Sequence, residues 1–166
     1  MPNHELESTE PEVGYEIEHG HAAYTDAELL DQSQLNAQSL VLATFEAIGD
    51  DQELLDCMVD RIAATFAKAW DTDREWQPAE VLDSLLTNFR SFGGIVDSHE
   101  PEGDTPSAVV SDLPSPYLCE ILEVSQAQFL PMLSICERLA RSLGWELEWS
   151  HDADAGQINL RVRKLA

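Results

Sequence analysis

Between Trp145 and Arg163 apolar and polar side chains alternate through two runs: Trp145, Leu147 and Trp149 are interleaved with Glu146 and Glu148, and Ile158, Leu160 and Val162 with Asn159, Arg161 and Arg163. A period of two belongs to a β-strand with one buried face. The interval His151-Asp152-Ala153-Asp154-Ala155-Gly156 is rich in turn residues, so the pair predicts an antiparallel hairpin. In any register that puts both apolar sets on one face, Glu146 and Glu148 lie opposite or diagonal to Arg161 and Arg163, each pair being worth about 0.2–1 kcal/mol. Two strands alone are marginal in water, so this hairpin needs a platform. The preceding helix supplies one, with Trp145, Leu147 and Trp149 expected to pack against Leu139 and Leu143.

Upstream the period changes to that of a helix. Thr25-x-x-Glu28 has the capping-box pattern, and Leu30, Ala37, Val41, Phe45 and Ile48 follow at helical spacing, predicting a first helix over about 26–48 ended by Gly49. Asp50-x-x-Glu53 starts a second, with Leu55, Met58, Ile62, Phe66 and Ala69 on one stripe to about Trp70, and the two helices are expected to form an antiparallel hairpin. Pro78 suits the first turn of a third helix carrying Leu82, Leu85, Leu86 and Phe89, which Gly93-Gly94 ends. Ile95-Val96 and Ala108-Val109-Val110 flank a polar, turn-rich stretch and are read as a pair of edge strands. Pro114 and Pro116 precede another helical segment. Ser125-x-x-Gln128 begins a last one through Phe129, Leu133, Cys136, Ala140 and Leu143, which Pro131 must break or kink because it lacks a backbone N–H. The expected fold is α+β and mainly helical, a bundle of about four helices with a C-terminal β-hairpin and a short second strand pair.

At 166 residues the chain is long enough for one unstapled core, read as a single domain over 25–166 behind an acidic tail at 1–24. That tail holds Glu5, Glu7, Glu10, Glu12, Glu16 and Glu18 and no Lys or Arg, a composition expected to stay disordered. The whole chain carries 32 Asp and Glu against 9 Lys and Arg, a net charge of −23, and removing the tail's six glutamates still leaves the body at −17. Such a field repels phosphates and anionic lipid, so direct nucleic-acid and membrane binding are not expected. Cys57, Cys119 and Cys136 form no CxxC pair and are odd in number, which points to reduced thiols in a cytoplasmic protein and to small core residues. The start, Met1-Pro2-Asn3-His4-Glu5, has no basic n-region or apolar run, and neither export nor membrane insertion is expected.

Chemistry-bearing patterns are sparse. Asp152-x-Asp154-x-Gly156 has the alternating oxygens of a calcium loop, but its glycine comes one residue early and its twelfth position is Arg163, so a hairpin turn is expected. Asp71-x-Asp73-x-Glu75 lacks the glycine altogether and reads as a solvated linker. His19-Gly20-His21 has no further ligand at finger-like spacing, and His99 and His151 read as surface histidines. No serine elbow, phosphate loop or dinucleotide fingerprint is present, and no catalytic, cofactor or metal residue is assigned. From Leu139-Ala140-Arg141-Ser142-Leu143-Gly144-Trp145 through Gly156-Gln157-Ile158-Asn159-Leu160-Arg161-Val162, about 24 residues, the chain resembles the last helix and hairpin of sensor histidine kinase ATP-binding domains. That family's glycine boxes and phospho-accepting histidine region have no match, so neither activity nor residue is carried over.

The leading functional expectation is an acidic protein-binding module, an adaptor, assembly factor or regulator, that docks a basic partner through charge, with Glu5, Glu7, Glu10, Glu12, Glu16 and Glu18 as the partner-binding residues. A DNA mimic that inhibits a nucleic-acid-binding protein is the alternative, its spaced carboxylates imitating phosphate rows. An enzyme subunit whose pocket is assembled from distant residues leaves no local motif. Adaptation to salt, or plain solubility, accounts for the acidity without any of these. Oligomeric state is not legible at this level.

Overall fold

Thr25 starts the first helix of a computed structural model that describes residues 24–165. Its hydroxyl accepts from the Glu28 N–H while its own N–H donates to the Glu28 carboxylate at 2.7 Å, the reciprocal cap expected for α1 (Asp26–Ile48). The Thr25 N–H foremost, and second the Thr25 hydroxyl, which donates to the same carboxylate at 2.9 Å, hold the Glu28 carboxyl below its ordinary pKa. α2 (Gln52–Ala67) is capped by Asp51, whose carboxylate accepts from the Leu54 N–H at 3.0 Å, one residue later than the expected Asp50, and it ends before Trp70. The expected α1–α2 hairpin is only loosely formed. α2 buries just Val59 and Ala63, small residues that let it lie close along α5 (Pro131–Ser142) instead. Arg138 of α5 reaches across that seam to the Asp60 carboxylate at 2.6 Å and to the Asp56 carbonyl at 3.3 Å.

α3 (Pro78–Ser91) buries Val81, Leu82, Leu85, Leu86 and Phe89, a full inward stripe. The chain then turns tightly into the sheet at Gly94, where an added Cβ would lie 3.1 Å from the Phe89 carbonyl and 3.3 Å from Val110. β1 (Ile95–Glu100) pairs antiparallel with β2 (Ser107–Ser111) through a bulge between Val96 and Ser98. The pair forms as expected, but β2 is not an edge. It also pairs with β4 (Gln157–Lys164), and with β3 (Trp145–Asp152) the sheet order is β1-β2-β4-β3. Ala108 and Val110 stand opposite Leu160 and Ile158, so β2 adds to the same buried face that the C-terminal alternation defines. Between β2 and α5 lie α4 (Pro116–Leu122) and a 3₁₀ turn, Gln126–Phe129. Pro131 breaks the helical run by opening α5 at its first turn, where no N–H is needed.

Among the described residues, five helices and a four-stranded antiparallel sheet thus give the α+β, mainly helical architecture. Packed on one face of the sheet, α3 and α5 enclose a core that includes Leu85, Phe89, Leu133, Leu139, Leu147 and Leu160. Leu147 is fully buried as expected, whereas Trp145 and Trp149 are only half-buried and direct their indole N–H groups to the Trp76 carbonyl at 3.1 Å and the Glu137 carboxylate at 2.6 Å. On the outer face Arg163 clamps Glu146 at 3.0 Å and Glu148 at 2.8 Å. The Asp152 carboxylate accepts from the Asp154 and Ala155 N–H groups, making the 152–156 segment a closed hairpin turn. α1 is tied in by Gln38, buried, which donates to the Phe92 carbonyl at 2.6 Å and accepts from the Ser115 N–H at 2.7 Å.

Cys119 and Cys136 are buried, but Cys57 is exposed on the outer side of α2, against the expectation of a core residue. Its neighbour Met58, not Cys57, turns toward the core. Apart from Tyr24, the acidic stretch 1–24, with its partner-binding glutamates and His19-Gly20-His21, lies outside the described residues. Among the described residues no helix is long and apolar enough to cross a membrane.

Candidate functional site

The linker from α2 to α3 does not run free through solvent. Past Ala67 the chain continues in tight turns to Trp70, and Trp76 anchors the far end by donating its indole N–H to the Asp71 carbonyl at 2.7 Å. Both indoles pack partly on the core, with ring centroids 5.5 Å apart and planes tilted by 31°. Between them in sequence, Arg74 folds back so that its guanidinium carbon lies 3.8 Å from the centre of the Trp76 ring, and its nitrogen meets the Glu80 carboxylate at 3.1 Å. Glu80 is itself fixed, since its other oxygen accepts from the Gln77 N–H at 2.9 Å in the cap that starts α3.

These groups line an open cleft of about 640 Å³, floored by Trp70 and Trp76 and walled by Asp71, Glu80 and Asp83. Asp83 receives His99 of β1 at 3.0 Å. Aromatic faces flanked by carboxylates favour cations: the ring quadrupole attracts a guanidinium or ammonium, and the carboxylates give it direction. Arg74 already occupies one such position. A second concavity of about 390 Å³ lies on the outer face of the sheet, where Ser98, Ser107, Ser150, Asn159 and Arg161 give a polar, mixed lining that also includes Glu148 and Trp149. Burial pushes the Cys136 thiol up to about 12 and the Cys119 thiol upward too, so both stay protonated and neither is an activated nucleophile. Among the described residues no group of three or more His, Cys, Asp or Glu is placed to hold a metal.

Asp71, Asp73 and Glu75 sit where the sequence places them, in the connection between two helices, and the Asp71 carboxylate closes a local turn by accepting from the Asp73 N–H at 3.2 Å. Sequence reasoning missed the tryptophans on either side and the arginine between them. The available signal was the spacing itself, Trp70 and Trp76 enclosing three acids and one arginine.

No family model matches the chain, and no curated protein matches it. Among solved structures it is similar to the Fe(II) unliganded H-NOX protein from K. algicida, at 12% identity over 87% of this chain and 76% of that one, with a TM-score of 0.32. A mutant of the same protein is similar at 13% identity, with the same coverage and TM-score. At that TM-score the likeness carries neither a fold assignment nor a function.

Proposed function

We propose that the protein is an acidic docking module that binds a basic partner, with the tryptophan-floored cleft between α2 and α3 as its recognition site for arginine or lysine side chains. The observation that carries this reading is Arg74, whose guanidinium is held at once by the Trp76 face and the Glu80 carboxylate, the contacts an incoming arginine would use. The charge of the body supports it: residues 25–166 hold 26 carboxylates and 9 Lys and Arg, and the described ion pairs with arginine engage only Asp60, Glu80, Glu146 and Glu148. The remaining carboxylates steer a basic surface toward the cleft more than they bind it. Glu5, Glu7, Glu10, Glu12, Glu16 and Glu18 extend the same field. The same charge argues for a protein partner rather than direct nucleic-acid contact, and the free thiols for a cytoplasmic setting.

Isothermal titration with an arginine-rich peptide tests this reading. Binding should weaken steeply as salt rises from about 0.1 to about 1 M, where the screening length shrinks from about 10 to about 3 Å. Glu80→Gln, which keeps the helix cap and removes the charge, should weaken it by several-fold. Arg74→Ala should tighten it by vacating the Trp76 face. Affinity indifferent to salt and to both substitutions would remove the basis for the proposal.

A further inference from the structure

Polar side chains on the outer face of the sheet fall into rows, and the rows differ in whether the protein satisfies them. The strand registers set Glu100, Ser107, Arg161 and Glu148 side by side across β1, β2, β4 and β3. Two residues further along each strand, and so on the same face, lies a second row of Ser98, Val109, Asn159 and Ser150. Both flanks are closed internally. On one side the Asp97 carboxylate accepts from the Ser111 hydroxyl at 3.1 Å and the Gln157 amide at 3.3 Å, and on the other Arg163 clamps Glu146 and Glu148. Between these flanks, the side chains of Glu100, Ser107, Arg161, Ser98, Asn159 and Ser150 make no hydrogen bond or ion pair with any described residue. These two rows floor the concavity of about 390 Å³.

Arg161 is the decisive member. Its cross-strand neighbour is Glu148, but Arg163 takes that carboxylate through Nε at 2.8 Å, which leaves the five N–H donors of Arg161 without a carboxylate among the described residues. With the Ser107 hydroxyl beside it, this guanidinium is a ready receptor for an oxyanion. A simple anion is nevertheless a poor ligand, because the chain's net charge of −23 and Glu100 and Glu148 in the same row repel it. A simple cation meets Arg161. A molecule that carries both charges and is neutral overall escapes both penalties. We infer that this concavity binds a free α-amino acid, with the carboxylate on Arg161 and the ammonium on Glu100. The span fits: the two residues stand two strands apart, about 10 Å between backbones at about 4.8 Å per strand. An α-amino acid with one hydrogen bond at each end covers about 8 Å, two bonds of about 2.8 Å and about 2.5 Å from carboxyl carbon to nitrogen. Its side chain then lies over the second row, where the Asn159 amide and the Ser98 and Ser150 hydroxyls suit a polar, uncharged group such as a hydroxyl or an amide. The site is on a different face from the Trp70–Trp76 cleft and does not rest on the docking proposal.

Titration of the ¹⁵N-labelled full chain with L-serine and L-glutamine, up to about 20 mM, tests it, with propionate and propylamine as the two charged halves. The expected result is saturable movement of the Ser107, Ser150 and Asn159 amide signals with at least one of the amino acids, while the Trp70 and Trp76 indole signals stay in place. Propionate and propylamine should each bind at least tenfold more weakly. Arg161→Gln and Glu100→Gln, both at exposed positions, should each weaken binding by about tenfold or more with an unchanged melting midpoint. Arg141→Gln, the same change in charge at an exposed site on α5, should leave it as it was. No saturable movement with either amino acid, propionate binding as tightly as the amino acids, or an affinity that survives Arg161→Gln or Glu100→Gln would each overturn the inference.

Discussion

Three thiols in one chain meet three different surroundings, and the differences are measurable. Cys57 is exposed on α2, and under native conditions alkylation should stop at one label per chain, on Cys57, with all three reacting in denaturant. Cys136 is enclosed by the core and lies beside Glu137, and burial first and that neighbouring charge second push its thiol up to about 12. Because the folded value lies above the unfolded one, the buried thiol's contribution to stability is complete below about pH 8.5 and declines as pH climbs toward 12. The free energy of unfolding should therefore fall through that alkaline window, with a slope approaching about 1.4 kcal/mol per pH unit, and the fall should flatten in Cys136→Ala. A parallel decline in the variant would assign the effect to other groups. Gln38 poses a different test: Gln38→Ala leaves the Phe92 carbonyl and the Ser115 N–H without their partner, and should cost about 1–3 kcal/mol in denaturant unfolding. A loss within error of zero would mean that water replaces both bonds.

At the scale of elements, the C-terminal hairpin was the most legible part of the chain because a period of two fixes which face of each strand is buried. Of the registers that keep both apolar sets inward, the structure has the one that sets Glu146 opposite Arg163 and Glu148 opposite Arg161. The degree of burial did not follow: each tryptophan turns an indole N–H to an oxygen at the margin of the core, while the smaller Leu147 takes the buried centre. Leu147→Ala should accordingly lower stability by about 2–5 kcal/mol, the range for a leucine deleted from a core. Glu148→Ala, which removes half of a partly exposed clamp, should cost no more than about 1 kcal/mol. A larger loss from Glu148 than from Leu147 would contradict the assignment of faces. α2 was harder to place because Val59 and Ala63 say that something packs closely without saying what, and the partner, α5, lies some seventy residues away. The cleft was legible only as a spacing, Trp70 and Trp76 around three acids and one arginine: whether Arg74 stacks on Trp76 depends on how a linker folds back, which no periodicity encodes.

For the whole molecule, charge sets two opposing dependences on salt. Self-repulsion at a net charge of −23 destabilises the compact state, so added salt should raise the melting midpoint. The same screening should weaken the hold on a basic peptide. A protein that was acidic only for solubility would share the first response and lack the second. The most direct measurement is a titration of an arginine-rich peptide into ¹⁵N-labelled protein, following the indole N–H signals of the four tryptophans. Trp70 and Trp76 line the cleft, Trp145 is bonded to the Trp76 carbonyl, and Trp149, bonded to Glu137 of α5, does not line it. Docking at the cleft should shift Trp70 and Trp76 saturably at low salt, leave Trp149 in place, and vanish at high salt. Saturable shifts confined to Trp149, or no indole shift while the peptide binds, would contradict it.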